Sequence, residues 1–299
     1  MKRVVLFLLT NLAVMIALSI TSSLVFMFLG QNLEQFFGQY SYLVVFAFVF
    51  GIGGSLISLL LSKPIAKFST GAQVIDGSEG TAERWLIETV ADLSRRANIK
   101  MPEVAIYEGA ANAFATGAFK NSALVAVSTG IMSQMTKEEL RAVLGHEISH
   151  ITNGDMVTLC LIQGVLNAFV IFFSRVIAHI VANAGNGERR RSSNPFLYMM
   201  VVWVMEISLG LIAMIIVCAF SRKREFAADA DSANLLGSPS SMIAALRRLG
   251  NLQPGVLPDS LKAMGIAEGK KASLFSTHPS LEDRINALSL SLNSFSGVA

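Results

Sequence analysis

The sequence predicts an α+β chain, mostly helical, in which apolar helices arranged as two hairpins join a polar domain with a small sheet. Three observations predict it. Apolar residues gather in four long stretches. The remaining polar residues fall in two regions, neither large, that together make one domain of ordinary size. One of those regions carries His146-Glu147-Ile148-Ser149-His150 on a helical pattern. Composition agrees. The 299 residues are 53% hydrophobic and 15% charged, with mean hydropathy +0.55, whereas a soluble domain carries about 25% charged residues. Net charge is +3, and no long basic tract is interleaved with aromatics, which excludes nucleic acid as the expected partner. Cys160 and Cys218 both fall in apolar stretches and read as buried small hydrophobes.

The first stretch, Val4 to Leu29, is long enough to cross a bilayer, which needs about 20 residues. It is too long for a signal peptide and lacks a small-residue cleavage site, so an uncleaved anchor is expected. A polar connection, Gln31 to Tyr40, leads to a second span, Tyr42 to Leu61, whose Gly51-Ile52-Gly53-Gly54 run allows close helix contact. The third stretch is Met156 to about Val181 and the fourth Pro195 to Phe220. Arg175, His179 and Glu206 interrupt these two; such groups are costly in lipid and are expected to face protein or an interface. Lys2, Arg3, Lys63, Lys67 and Arg222-Lys223-Arg224 fall on one side, which the positive-inside rule makes the cytoplasm. The turn Glu188-Arg189-Arg190-Arg191 opposes that topology. The expected organisation is a hairpin at 1–61, a polar segment at 62–155, a second hairpin at 156–220 and a second polar segment at 221–299.

In the polar part, Thr81 to Ala97 has the spacing of an amphipathic helix. Glu103 to Tyr107 alternates like a strand. Ala111 to Ala118 reads as an edge strand, and Leu124 to Val127 as a short buried one. Thr136-Lys137-Glu138-Glu139 is a capping box, Thr at the N-cap and Glu at N3, and it starts the helix that carries the histidine motif. His146 and His150, four apart, lie on one helical face and can reach one metal ion. Glu147 can reach a water on that metal, the arrangement of zinc hydrolases. Two surface histidines on an ordinary helix are the plain alternative. Charged residues flank the motif, so the site is expected in water close to the membrane surface, not inside an apolar span.

Catalytic zinc takes three protein ligands and a water. Asn153 and Met156 stand where a metzincin needs Gly and His, so the third ligand lies elsewhere. His179, His278, Asp155, Glu188, Glu206, Glu225, Asp229 and Asp231 are the candidates. Glu225 is the choice, because its segment leaves the fourth stretch as a helix where the motif helix enters the third. Asp229, at i+4, points the same way and can hold a ligating histidine by its far nitrogen. An i,i+4 salt-bridge partner on a solvated helix remains the other reading of Glu225.

Together the motif, the two hairpins, Glu225-Phe226-Ala227-Ala228-Asp229 and Thr277-His278-Pro279 resemble the HtpX-type membrane zinc metalloproteases, bacterial relatives of the CAAX prenyl proteases. The resemblance covers almost the whole chain. It implies a zincin-like metalloprotease domain, one zinc ion per chain bound by His146, His150 and Glu225, and Glu147 as general base. It implies a multi-pass protein of the bacterial cytoplasmic (inner) membrane. Its active site would face the cytoplasm and cleave misfolded or damaged membrane proteins under envelope stress. In related enzymes, Asn112-Ala113-Phe114-Ala115 corresponds to an edge strand that pairs with the peptide. His278 is the expected oxyanion donor, with Arg284 behind or beside it; alternatively His278 only precedes a final helix with Pro279 at N1. Expected partners are protein and peptide substrates, the lipid bilayer and other membrane quality-control proteases. The rival readings are an intramembrane protease, a transporter, and a membrane scaffold or regulator with a structural metal site, which would not need Glu147.

Overall fold

A computed structural model describes residues 2–183, 195–252, 266 and 274–295. It is mostly helical, with one small mixed sheet. In chain order, α1 (Lys2–Phe37) is followed by a 3-10 turn (Gly38–Tyr40) and by α2 (Ser41–Phe48). A π-helical turn at Val49–Gly53 leads into α3 (Gly54–Thr70). Then come β1 (Gln73–Val74), α4 (Thr81–Arg96), β2 (Glu103–Tyr107), β3 (Ala113–Thr116) and β4 (Leu124–Ser128). The remainder is helical: α5 (Thr129–Gln134), α6 (Lys137–Asn153), α7 (Asp155–Asn183), α8 (Pro195–Leu236), α9 (Ser240–Asn251) and α10 (Leu281–Phe295). The chain divides into two compact units, residues 1–58 with 160–217, and 59–159 with 218–299.

The first unit is built from apolar helices. Among the described residues, three helices are long and apolar enough to cross a membrane: Gly38–Thr70, Asp155–Asn183 and Pro195–Leu236. In α1 the described apolar helix is the shorter Ile16–Gly30, and the expected span from Val4 lies partly outside the described side chains. The basic turn Glu188–Arg191 also lies outside the described residues. The expected polar connection at Gln31–Tyr40 is not a loop: α1 continues to Phe37 and the 3-10 turn closes the gap. Two hydroxyls inside α1 bond their own helix, Thr21 Oγ1 donating to the Ala17 carbonyl at 2.8 Å and Ser23 Oγ to the Ser19 carbonyl at 3.1 Å. That satisfies a polar group without a partner helix. Gly51 lies against α7, where an added Cβ would stand 2.4 Å from the Ala168 backbone nitrogen. The ionisable pair of this unit is self-compensating. Arg175 Nη1 donates to Glu206 Oε1 at 2.8 Å, tying α7 to α8, and its guanidinium lies 5.4 Å from the Phe46 ring centre. Each charge would be costly alone among apolar helices.

The second unit holds the sheet, ordered β1-β2-β4-β3. β2 and β4 run parallel, and β1 and β3 are antiparallel to their neighbours. The two-residue β1 is too short to leave a periodic signal in sequence. Alternation sorts the strands by face. Val104, Ala113, Ala115, Val125 and Val127 join the main core with Leu86, Val90 and Leu93 of α4, Leu140 to Ile151 of α6, and Met242, Leu246 and Leu249 of α9. Ala105, Tyr107, Phe114, Leu124 and Ala126 face the other way, onto Ala66 of α3. β3 is an edge of this sheet. Its Ala113 carbonyl accepts from the Ile266 amide at 3.1 Å.

Helix ends follow the local chemistry. Thr136 Oγ1 accepts from the Glu139 amide and Glu139 Oε2 from the Thr136 amide, completing the capping box of α6. α10 starts differently from expectation. Ser280 caps it, accepting from the Asp283 amide at 3.1 Å, so Pro279 precedes the cap and does not occupy N1. The side chain of Ser280 can accept where proline has nothing to offer.

The contact at Gly51 gives a stability test. Gly51→Val forces a methyl into the Ala168 backbone and should lower the melting temperature of the detergent-solubilised chain by several degrees. Gly54→Ala, where nothing lies within 4 Å of an added Cβ, should leave it unchanged or slightly raised.

Candidate metal centre

The centre is assembled from α6, the start of α7, α8 and the residues around α10. His146 and His150 project from one face of α6, their ring centroids 4.6 Å apart and nearly perpendicular. Their Nε2 atoms face each other at 3.1 Å. Glu225 of α8 completes a triangle, with Oε2 3.4 Å from His146 Nε2 and Oε1 3.2 Å from His150 Nε2. Potential ligand atoms of the three residues lie within 4.8 Å of one another. α8 can come this close because Gly145 has no side chain: an added Cβ would stand 2.7 Å from Ser232 Oγ. That hydroxyl instead donates to the Ala142 carbonyl at 2.9 Å. Asn153 Nδ2 donates to Asp231 Oδ2 at 2.7 Å, a further tie between α6 and α8.

Each imidazole is held from behind by a carboxylate. His146 Nδ1 donates to Asp229 Oδ1 at 2.9 Å. His150 Nδ1 donates to Asp155 Oδ2 at 2.7 Å. A carboxylate can only accept, so both Nδ1 atoms carry protons and both Nε2 atoms point into the triangle as the positions left for a metal. In the sequence Asp155 is one of the candidate ligands; in the structure its contact runs across Gly154, whose left-handed φ of 67° turns the chain between α6 and α7. The signal available was an acid five residues after the second histidine, just past a glycine stop.

The other expected residues also lie here. Glu147 is 1% exposed, and among the described residues its Oε2 has no hydrogen-bond partner. His278 Nδ1 lies 2.9 Å from Glu225 Oε2. Arg284, fully buried, grips Asp229 through Nε at 2.7 Å and Nη2 at 2.6 Å, and its Nη1 lies 3.3 Å from Glu225. Asn112 is buried beside Ser128, whose Oγ accepts from the Asn112 amide, and Asn112 Oδ1 accepts from the Ala113 amide. Ala113, Phe114 and Ala115 form β3.

The electrostatics favour a cation. Burial alone would lower the pKa of both histidines, but Glu225 and Asp229 raise His146 above its ordinary value. Asp155 and Glu225 likewise push His150 up to about 10. Burial raises the Glu147 carboxyl, with the histidines opposing. Raised histidine pKa values mean that the converging Nε2 and carboxylate atoms hold a proton among them when no metal is bound, and a metal cation can take that proton's place. The charge count agrees. Glu147, Asp155, Glu225 and Asp229 stand against Arg224 and Arg284, so with both imidazoles neutral, as metal ligands are, one divalent cation brings four negative charges into balance. The residues present therefore fit a metal ion.

Comparison with known proteins agrees with this geometry. Residues 81–291 match peptidase family M48. "Protease HtpX homolog" of Acidovorax ebreus (strain TPSY) is 53% identical over 294 residues, covering 96% of this chain and 98% of that protein. The proteins of the same name from Verminephrobacter eiseniae (strain EF01-2) and Bordetella avium (strain 197N) are each 54% identical, with the same shares covered. Among solved structures, the crystal structure of S. mikatae Ste24p superposes with a TM-score of 0.58 at 16% identity. It covers 94% of this chain, which spans 65% of that one, a likeness of fold. With the family matched over the residues that build the metal centre, and relatives matched almost end to end, this chain belongs to peptidase family M48 and is a membrane metalloprotease of the HtpX type.

Proposed function

We propose that this chain is a zinc-dependent endopeptidase of the H-E-x-x-H plus Glu class. The observation that carries the reading is the convergence of His146 Nε2, His150 Nε2 and a Glu225 oxygen on one point beside Glu147. Two imidazoles and a carboxylate are a catalytic zinc donor set. A purely structural site would be closed by a fourth protein ligand, and among the described residues the cluster has three members. His150 is 16% exposed, which leaves one side of the site accessible.

When bound, zinc would bring the pKa of a water towards about 7 and polarise the scissile carbonyl. Glu147 takes a proton from the attacking water and delivers it to the leaving amine. Its burial raises its pKa, which suits a carboxylate that must hold a proton briefly. Asp229 fixes the His146 tautomer. His278, at the edge of the site beside Glu225, is the donor for the developing oxyanion. Arg284, expected behind or beside His278 as part of the catalytic set, is read here as a positioning residue. Complete burial and its grip on Asp229 support a positioning role, because no substrate atom can reach it.

The peptide adds along β3 beyond the Ala113–Ile266 contact, through backbone hydrogen bonds. Such binding reads little sequence and suits removal of misfolded or damaged membrane proteins. The three long apolar helices support residence in the bacterial inner membrane. Lys63 and Lys67, which both bond Glu103, and the basic run from Arg222 support a cytoplasmic site.

The test uses the full chain in detergent with zinc and an unfolded casein-type substrate. Glu147→Gln should lower cleavage by about 100-fold to 10,000-fold while one zinc stays bound per chain. Glu225→Ala should lose both zinc and cleavage. Full proteolysis by purified Glu147→Gln would sink the mechanism. Mass spectrometry of the products from the parent should find cuts at many unrelated residue pairs; a single strict cleavage sequence would overturn the backbone-read binding mode.

A further inference from the structure

Arg222-Lys223-Arg224 reads in sequence as the basic flank of an apolar helix, but only Lys223 is left simply exposed. Arg222 Nη1 donates to the carbonyl of Ser276 at 2.8 Å. Arg224 Nε donates to Asp155 Oδ1 at 2.6 Å. The other oxygen of Asp155 accepts from His150 Nδ1 at 2.7 Å. One buried carboxylate thus joins His150, at the end of α6, to the residue immediately before Glu225 in α8. Asp155 is only 3% exposed. As a first-turn acid of α7 it could have bonded its own helix amides; both its oxygens are instead given to side chains.

The arrangement repeats on the other side of the centre. Asp229 accepts from His146 Nδ1 and is gripped by Arg284. Each imidazole therefore donates to a carboxylate, and each carboxylate is held by a guanidinium. The two halves differ in exposure. Arg284 is fully buried, whereas the Arg224 side chain is 26% exposed.

We infer that Asp155 and Arg224 are a positioning pair for the metal centre: Asp155 fixes the tautomer and direction of His150, and Arg224 fixes Asp155 while registering α8, and so Glu225, against α6. The inference rests on the reading of His146, His150 and Glu225 as metal ligands. The guanidinium sets the angle at which the carboxylate meets the imidazole and limits the negative charge felt by His150. Removing the carboxylate frees the ring to rotate and to take the other tautomer, with Nε2 protonated and closed to metal. Removing the guanidinium leaves the carboxylate in place but loosens the tie between the two ligand-bearing helices.

The test is zinc affinity of the full-length protein in detergent, measured by competition with a chelator, together with the visible spectrum of the cobalt-substituted protein. Asp155→Ala should weaken zinc binding about 10-fold to 100-fold, and Asp155→Asn, which keeps an acceptor for Nδ1, should weaken it less. Arg224→Met should weaken binding by about 3-fold to 10-fold, and Arg224→Lys should recover most of that loss. In the Asp155→Ala background, Arg224→Met should add nothing, because Arg224 acts through Asp155. The cobalt bands should move in Asp155→Ala, a change that general loosening of the fold would not cause. Parent-like zinc affinity in both Asp155→Ala and Arg224→Met overturns the inference, as does an Arg224→Met effect of undiminished size without Asp155. Absence of zinc binding in the parent overturns the ligand assignment itself, and this inference with it.

Discussion

Two imidazole nitrogens and a carboxylate are aimed at one small volume, and the packing of α6, α7 and α8 in the second unit holds them there. Left free, the imidazoles would rotate apart and the carboxylate would seek water. Carboxylates behind the rings prevent the first. Burial and the close approach of α8 to α6 prevent the second. The glycine next to His146 matters more than its size suggests, because a side chain there would displace the Ser232 hydroxyl that ties α8 to α6.

Ionisable groups are buried here at a density that would normally be destabilising. Burying an isolated charge costs several kcal/mol, and removing a partner strands the remainder. The cluster persists because nearly every charge has a directed contact of opposite sign: guanidinium to carboxylate, carboxylate to imidazole. Specificity of geometry, not net stability, is what such networks supply best. The rigid sheet and α4 behind α6 contribute the apolar core that offsets the cost of the polar centre.

Local signals in the sequence were legible where they depend on short spacing. The capping box at Thr136, the strands at Glu103–Tyr107 and Leu124–Ser128, and the amphipathic α4 all carry their pattern within a few residues. The histidines, at i and i+4, belong to the same class. Glu225 is harder, because an acid at i,i+4 from another acid on a helix leaving an apolar stretch fits a surface salt bridge equally well. Only the packing of α8 on α6 separates the two, and packing leaves no periodic trace. Asp155 is visible in the sequence only as one candidate ligand among several, since a ligand and a residue supporting a ligand are the same letter. The two-residue β1, the 3-10 closure after α1 and the shift from Pro279 to Ser280 as the start of α10 are set by tertiary contacts or by competition between adjacent caps. The ionic contact between Arg175 and Glu206 shows the converse: two residues that each look anomalous in an apolar stretch become ordinary once paired.

The order in which these groups occur along the chain has its own consequence. His146 and His150 are translated first, Glu225 only after two long apolar helices, and Arg284, which steadies Asp229, later still. A ribosome-bound fragment ending before α8 carries the paired imidazoles but lacks the carboxylate that would complete their grip. On the proposed ligand assignment, the metal centre can therefore be completed only after the apolar helices have been synthesised.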